Sequence, residues 1–332
     1  MDAESNMIRK PNPVWLDMPV HVKQKCVDFA NAQTKHSLRR CCKATKKLVD
    51  KASNYYQSLE IEFGRHRTTV KLELVEGNFL QMDFRASGEG CELKNPASKY
   101  FLKFKDTTPV EEAGLLFTKY LTKPKTSFET IEIREGVDLI RDRGYNIRRA
   151  QQFSHRLEES LENMQHQLYV KKISAPSRSV SNLLRYSKSK YLTCIDIMRE
   201  DVMSAPLLPL TTLEQWRNLT RVEINFVSDI SIDMFFDFKS WKSHVGRITA
   251  LIVEKLIQNC KLDNSCTVTS READEEDIKR LFVNYVLHMD EENQKTYIFT
   301  TPISKFEVEE LRVTTYFLPN NFYYLSVDKR IR

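Results

Sequence analysis

Apolar residues recur along the chain with two periods, and the change from one to the other divides the sequence into regions. In residues 14–51 they lie three or four apart after Pro19, which predicts two or three short helices with Pro19 in a first turn and Asp17 as a cap. A unit of about 40 residues is near the lower size limit for an independent core. We therefore expect it to pack on the rest of the chain or on another protein. The residues with this spacing are Val22, Cys26, Val27, Phe29, Leu38, Cys41, Cys42, Leu48 and Val49.

Residues 57–106 alternate between apolar and polar positions in four runs that turn residues separate. This pattern is typical of half-buried antiparallel strands. The next segment, 109–122, has acidic residues in its first turn and Pro124 beyond its end, which predicts a helix. A further strand is predicted over 128–134.

The two periods alternate from about residue 147 onward. Spacings of three and four predict a long amphipathic helix over 148–167, and Thr211 and Glu214 have the spacing of a capping box. A last helix is predicted over 275–288. The strands expected are 168–173, 191–197, 220–226, 241–246, 296–300, 306–314 and 321–327, and the short helices expected are 177–187, 211–217, 231–238 and 248–259.

The strand ends in this part of the chain are regularly spaced. Ile173, Ile197 and Ile224 follow one another at intervals of 24 and 27 residues, within or close to the lengths of leucine-rich repeats. A strand–helix unit this short buries its apolar face by stacking on its neighbours. The predicted fold class is therefore α/β: a small N-terminal helical unit, an antiparallel strand segment, and an irregular, leucine-rich-repeat-like strand–helix array.

Composition narrows the class of protein. A chain of 332 residues predicts two or three domains, and no apolar run approaches the ~20 residues of a membrane span. The N-terminus lacks the apolar stretch of a signal peptide, and seven cysteines without periodic spacing favour reduced thiols. We expect a protein of the cytoplasm, the nucleus or both. The glycines form neither a dinucleotide-binding nor a P-loop pattern.

The excess of positive charge is confined to one part of the chain. Residues 1–56 hold 11 Lys and Arg against 5 Asp and Glu, which accounts for the whole net charge of +6. A concentrated field of this kind favours an acidic partner. A nucleic acid is the weaker alternative, because Asp17, Asp28 and Asp50 interrupt the basic region and no aromatic stacking motif accompanies it.

Residues with catalytic or metal-binding chemistry do not form a recognisable site. His21 with Cys26, and His36 with Cys41, lack the cysteine grouping of a zinc site, and Cys260 and Cys266 have no nearby histidine. Adjacent glutamates diverge on a helix, and no nucleophile-elbow pattern occurs. We expect no catalytic, cofactor-binding or metal-binding residues, and therefore no enzyme.

Two groups of residues admit a functional and a structural interpretation. Cys41 and Cys42 are either small core residues or redox-active thiols activated by the basic residues around them. Trp216 and the segment 234–238 are either part of a ligand box or part of the core. Aromatic residues at helical spacing beside strands are usually core, so the structural interpretation is favoured.

Two segments resemble known families. The stretch from Trp15 to Phe29, with Leu16, Asp17, Met18, Pro19, Val22, Cys26 and Val27, and then Leu38, Arg39, Cys42, Lys43, Leu48 and Val49, resembles the F-box, in which a Leu/Met-Pro start opens the first helix. Residues 213–217, 220–224 and 235–239 resemble the FTH domain, which accompanies this box in the large nematode F-box A family. Cys26 and Cys42 stand where the box has a larger aliphatic residue and a serine.

The resemblance implies a role and a domain order. The box would dock on the Skp-type adaptor of a ubiquitin ligase and, through it, on a cullin, while the C-terminal domain would hold an unidentified protein target. The domains expected are a tail over 1–13, an F-box over 14–56, a strand-rich connection over 57–146 and an FTH-like domain over 147–332. The adaptor-binding residues expected are Met18, Pro19, Val22, Cys26, Phe29, Leu38, Arg39 and Leu48.

The main alternative is an interaction module in which the N-terminal helices only cap the fold. In that case Pro19, Val22, Phe29 and Leu38 would pack against residues 57–100. A nucleic-acid-binding protein is the third hypothesis, and it predicts salt-dependent binding to duplex.

Overall fold

A computed structural model of the chain describes residues 15, 18–30, 32–64, 66–74, 77–94, 101–135, 143–198, 206–261, 264–281, 286–291, 294–302, 308–318 and 322–331. Within these ranges the protein is mixed α/β, with one large sheet and several helices, as the sequence predicts at this level. No helix in them is long and apolar enough to cross a membrane.

The helices and strands follow one another along the chain in alternating groups. The α-helices in the described ranges are α1 (Val20–Phe29), α2 (Ala32–Cys41), α3 (Lys43–Lys51), α4 (Pro109–Leu121), α5 (Arg143–Glu162), α6 (Ser177–Tyr186), α7 (Glu214–Arg217), α8 (Ala250–Asn259) and α9 (Glu275–Leu281). The strands are β1 (Asn54–Phe63), β2 (Arg67–Glu73), β3 (Phe79–Ser87), β4 (Gly90–Lys94), β5 (Phe101–Lys105), β6 (Thr126–Glu135), β7 (Tyr169–Pro176), β8 (Cys194–Met198), β9 (Arg221–Val227), β10 (Ser240–His244), β11 (Ser265–Ser270), β12 (Val286–Glu291), β13 (Gln294–Pro302), β14 (Val308–Leu318) and β15 (Phe322–Ile331).

The fifteen described strands form one sheet in the order β12-β13-β14-β15-β11-β10-β9-β8-β7-β6-β1-β2-β3-β4-β5. Its centre consists of seven parallel strands that lie side by side in chain order, from β1 and β6 through to β11. Parallel neighbours require crossover connections, and here helical segments make them. Antiparallel strands extend the sheet on both sides, β2–β5 beyond β1 and β15–β12 beyond β11.

The main core lies between the helices and one face of the sheet. Apolar residues in register form its layers, as where Ile131 of β6 lies opposite Ile173 of β7. Phe153 of α5 packs edge-on against Phe63 of β1 and Phe117 of α4, with ring centroids 5.0 and 5.7 Å apart. These side chains are all buried. The other face of the parallel strands carries polar side chains, many of them half-exposed on β1 and β6–β9, and we call it the open face.

A second, smaller core holds the N-terminal helices together. Val27 of α1, Val49 of α3 and the adjacent Ala52 are buried in it, and it is separate from the main core. Trp15, Leu38 and Leu48 pack around these residues and are partly buried. The helices α1–α3 therefore form a unit with its own interior, which we call the helical unit.

Some predicted boundaries are wrong. The helix expected over 148–167 is α5, which begins earlier, at Arg143, and ends earlier, at Glu162. At its end the Met164 N–H donates to the Leu161 carbonyl, which closes the last turn. Thr211 does not cap a helix. It lies in a 3-10 helix, Leu208–Thr212, and its hydroxyl donates to the Leu208 carbonyl at 2.7 Å.

In other segments the observed element differs in type from the predicted one, or no element was predicted. The helix expected over 275–288 ends at Leu281, and β12 begins at Val286. Strands β4 and β11 are not among the predicted ones. Val20 opens α1 after Pro19, which is the N-cap and not a residue of the first turn, and Asp17 lies outside the described residues.

Candidate protein-interaction site

The helix α1 turns an apolar stripe away from the small core. Val22, Cys26 and Phe29 follow one another at spacings of four and three, so they share one side of the helix. Val27 lies on the opposite side, where it is buried in the small core. Phe29 is 90% exposed, Cys26 is exposed and Val22 is half-buried. Phe29 is the most exposed large apolar side chain in the described residues.

The start of α1 extends this exposed surface. Pro19 is exposed, and its carbonyl accepts hydrogen bonds of 3.0 Å from the N–H groups of Val22 and Lys23. Met18 before it is half-buried. Val20, which the sequence analysis did not single out, is 69% exposed but lies on the Val27 side of the helix, seven residues before Val27. Five of the predicted adaptor-binding residues, Met18, Pro19, Val22, Cys26 and Phe29, thus lie together along α1.

The other three predicted adaptor-binding residues lie elsewhere. Leu38 and Leu48 pack on the small core, so their first role is to hold α2 and α3 on α1. Arg39 is exposed, and its positive charge lowers the pKa of Tyr56 and Tyr120 in the part of the chain from β1 onward, which we call the sheet domain. Burial raises the pKa of Tyr56 to about 12, and Arg39 partly opposes this shift. The helical unit therefore presents α1 to solvent while Arg39 on α2 faces the rest of the protein.

The packing expected for a simple cap is not present. In that alternative Pro19, Val22, Phe29 and Leu38 would all be covered by residues 57–100, but Pro19 and Phe29 are exposed and Leu38 packs within the helical unit. Cys26 and Phe29 on α1 are thus left exposed by the described part of the chain.

A buried lysine ties the helical unit to the sheet. Lys35 of α2 is 7% exposed, and its ammonium group donates to the carbonyls of Ser53, at 2.7 Å, and of Asp28, at 3.3 Å. Desolvation lowers the pKa of Lys35, and the negative charge of Asp28 opposes this effect. Ser53 immediately precedes β1, so these two hydrogen bonds fix the end of α1 relative to the first strand of the sheet.

Cys42 caps the start of α3. Its sulfur accepts a hydrogen bond of 3.5 Å from the Thr45 N–H, and its own N–H donates to the Thr45 hydroxyl at 3.2 Å. This is a capping box at the start of α3. Hydrogen bonds from Thr45 lower the pKa of the Cys42 thiol. Cys41 is also exposed, so neither thiol is a core residue.

The aromatic residues of the C-terminal segment are core residues, as the sequence predicts. Trp216 packs edge-on against Phe235 and Phe238, with ring centroids 6.3 and 5.5 Å apart, and Phe235 also contacts Trp241. All four side chains are buried. The residues that carried the resemblance to the FTH domain therefore include the aromatic core beneath β9 and β10.

The open face carries polar groups that sequence reasoning missed. Four carboxylates lie in one row across adjacent strands, because the strand register places Glu60 opposite Glu132 and Asp196 opposite Glu223, with Ser174 between the two pairs. Alternation marks each of these residues as outward-facing, but only the register shows that they share a row.

A group of tyrosines and lysines lies on the same face, near the start of the strands. Tyr55 and Tyr169 are both paired with Ser127 in the register of β6. Tyr169 packs edge-on against Tyr191 with centroids 5.8 Å apart, and the ammonium group of Lys188 lies 4.7 Å from the centre of the Tyr169 ring. We call Tyr55, Tyr169 and Tyr191 the tyrosine cluster.

The two cysteines that lacked a histidine partner form a buried pair. The sulfurs of Cys260 and Cys266 are 3.7 Å apart, and both residues are buried. The hydrogen bond from Cys266 lowers the pKa of Cys260 and raises that of Cys266. In the described ranges no group of three or more His, Cys, Asp or Glu residues could hold a metal ion.

A protein-family model matches part of this chain. No curated protein and no solved structure matches it. The FTH domain is a family found in F-box proteins and indicates a role in protein interaction. The match to the model of this family covers residues 151–285, from α5 to just before β12.

Proposed function

We propose that this protein is the substrate-recognition subunit of a Skp–cullin–F-box type ubiquitin ligase. In this proposal residues 14–56 are an F-box that docks on a Skp-type adaptor and, through it, on a cullin. Residues 57–146 connect it to an FTH-like domain, 147–332, whose irregular, leucine-rich-repeat-like array binds a protein target. The chain itself is non-catalytic, needs no cofactor and acts in the cytoplasm or the nucleus.

The exposed stripe on α1 is the observation that carries this proposal. Phe29 and Cys26 are exposed on a helix that already has its own core contact through Val27, so their apolar surface is available to another chain. Val22 lies in the same stripe and is half-buried. Interface cores are rich in aromatic residues that are exposed in the free subunit. The FTH match supports the same role, because this domain is found in F-box proteins.

The charge of the helical unit favours an acidic partner. The excess of positive charge lies within residues 1–56, and the exposed basic residues of α2 and α3 include Arg40, Lys43, Lys46 and Lys47. Complementary charge steers two proteins together and fixes their register. An acidic adaptor fits this surface, and raised salt should slow its association.

The test is binding of the full chain to a recombinant Skp-type adaptor, with Phe29→Asp as the variant. We expect the dissociation constant to rise at least about tenfold, which corresponds to ~1.4 kcal/mol, because the substitution places a charge in a desolvated contact. Because Phe29 is 90% exposed, the fold and the thermal midpoint should not change.

Leu251→Asp is the matched control. Leu251 is an apolar residue of α8 that is 62% exposed, so it tests the same chemical change on a helix outside the proposed box. Adaptor binding should equal that of the wild-type protein. If Phe29→Asp binds the adaptor as the wild type does, or if the wild type does not bind it, the proposed function is wrong.

A further inference from the structure

The open face of the parallel strands has the features of a protein-binding surface. The described helices that connect these strands pack on the opposite, apolar side, where their side chains join the main core. The open side is left with half-exposed side chains of β1 and β6–β9, such as Glu60, Glu132, Asp196 and Glu223. A sheet face of this kind can receive a partner without any rearrangement of the fold.

On this face, carboxylates of adjacent strands lie opposite one another. Glu60 lies directly opposite Glu132, and Asp196 lies directly opposite Glu223. Like charges in directly opposed positions destabilise a sheet. Each such pair is unfavourable unless cations compensate its charges, so a cation placed beside an uncompensated carboxylate would relieve the repulsion.

Three of the four carboxylates already have a cation. Glu60 pairs with Lys71 at 3.6 Å, and Glu132 and Glu223 pair with Arg134 and Arg221. Asp196 forms no ion pair with any described residue. Its two oxygens accept hydrogen bonds from Ser174, at 3.1 Å, and from Asn225, at 2.9 Å.

The environment of Asp196 disfavours its charge. Burial is the largest cause of its raised pKa, and Glu223 and Glu132 add to it, while Ser174 and Lys172 oppose it. Lys172 lies in the adjacent row of the register, opposite Cys194, and Arg221 in that row is engaged by Glu223. Among the four carboxylates of the row, Asp196 is thus the one whose charge is not compensated by an ion pair with a described residue.

The tyrosine cluster supplies a second kind of contact on the same face. Tyr55 and Tyr169 are 37% and 36% exposed. Tyrosine offers a large, rigid contact area with a polar tip and is enriched among the residues that dominate binding energy. Five residues of strand separate Tyr169 from Ser174 in the carboxylate row, a distance of about 17 Å along the strand direction. An extended segment of about five residues can therefore touch the cluster and the row together.

We infer that the open face binds an extended segment of a protein partner that places a lysine or arginine side chain against Asp196 and packs its neighbouring residues on the tyrosine cluster. The inference rests on the proposed function, because it specifies the surface and the chemistry by which the C-terminal domain holds its target. The partner cation is a side chain and not a metal ion, because the carboxylates are strung along a row and form no metal-binding group among the described residues.

The test uses the full chain immobilised and four soluble pools of random 11-residue peptides, each with one fixed central residue: Lys, Arg, Glu or Ala. We expect the wild-type protein to retain the Lys and Arg pools about tenfold more strongly than the Glu pool, since that ratio corresponds to a single charge contact of ~1.4 kcal/mol. Asp196→Asn should remove this preference. Asp196→Lys should reverse it, so that the Glu pool is retained most.

Glu254→Lys is the matched control, because Glu254 is an exposed carboxylate on α8, on the helical side of the sheet. It should keep the preference of the wild type for the Lys and Arg pools. Asp196→Asn also guards against misfolding, since asparagine has the same shape and the Ser174 hydroxyl can rotate to accept from its amide.

Three results would overturn the inference: equal retention of the pools by the wild-type protein, a preference for Lys and Arg that persists in Asp196→Lys, or heat released on titration with Ca²⁺ or Mg²⁺ that Asp196→Asn abolishes. The last result would mean a metal site instead of a peptide site. None of these results would affect adaptor binding through Phe29, so failure here and failure of the proposed function are distinguishable.

Discussion

The helical unit and the sheet domain differ in what holds them in place. In the described residues the core of the helical unit consists of Val27, Val49 and Ala52, whereas the sheet domain buries apolar side chains from all of its parallel strands. The position of the small unit depends on polar contacts as well, above all those of Lys35. A region with so small a core leaves a residue such as Phe29 uncovered, and in the proposed function the adaptor would cover it.

The aromatic core of the sheet domain gives the largest expected effect. Phe235→Ala should lower the free energy of unfolding by about 3–5 kcal/mol, because the side chain is fully buried among aromatic rings. Met234 precedes it in the same 3-10 helix and is 45% exposed. Met234→Ala should change the free energy by less than about 0.5 kcal/mol in the same urea titration. Equal effects would contradict the packing described.

Loss of the Lys35 contacts should affect the helical unit alone. Lys35→Ala leaves the carbonyls of Ser53 and Asp28 without their donor, at a cost of about 1–3 kcal/mol. Native-state hydrogen exchange should show faster exchange of amides in α1–α3 and no change in the parallel strands. Lys47→Ala, at an exposed position on α3, is the control and should leave both regions unchanged. Faster exchange throughout the sheet would show that the two regions unfold together.

The pH dependence of stability gives the smallest expected effect and tests the open face. Since the pKa of Asp196 is raised in the folded state, the folded protein binds this proton more tightly than the unfolded chain does. The resulting stabilisation is present at low pH and is lost as the pH rises from the ordinary value of 3.8 through the raised value. Asp196→Asn should therefore be more stable than the wild type at neutral pH, with a difference that disappears towards low pH. Urea titrations across this range measure it, and a variant less stable at pH 7 would contradict the charge arrangement described.

The sequence predicts the order of helices and strands better than it predicts their limits. Where apolar periodicity is strong, as in α4, α6 and β9, the predicted and observed elements agree to within a residue or two. Strand β11 was missed because its sequence is polar and it is buried between β10 and β15, so alternation is absent. Thr211 and Glu214 have the spacing of a capping box, but a 3-10 helix ends between them. The Thr211 hydroxyl donates to the Leu208 carbonyl of that helix and so does not cap a following one.

For the candidate sites, too, local sequence patterns predict some features and not those that depend on tertiary structure. Helical spacing predicts that Val22, Cys26 and Phe29 share one side of a helix. It does not predict whether that side is buried or exposed, which depends on the tertiary packing. Lys35 looks like an ordinary solvated lysine in the sequence, because its acceptors are main-chain carbonyls that have no sequence signal. The row that contains Asp196 depends on the register of strands far apart in the chain, which no local pattern encodes.

The order of strands in the sheet has a consequence for how the molecule is assembled during synthesis. From β6 to β11, each parallel strand adds to the one made just before it, so the growing chain can extend the sheet stepwise and needs few distant contacts. The wing β12–β14 is an exception, because it joins the sheet only through β15, which follows it in the sequence. Until β15 has left the ribosome, β11 presents a bare edge, and a nascent chain paused at that point is the form most exposed to aggregation.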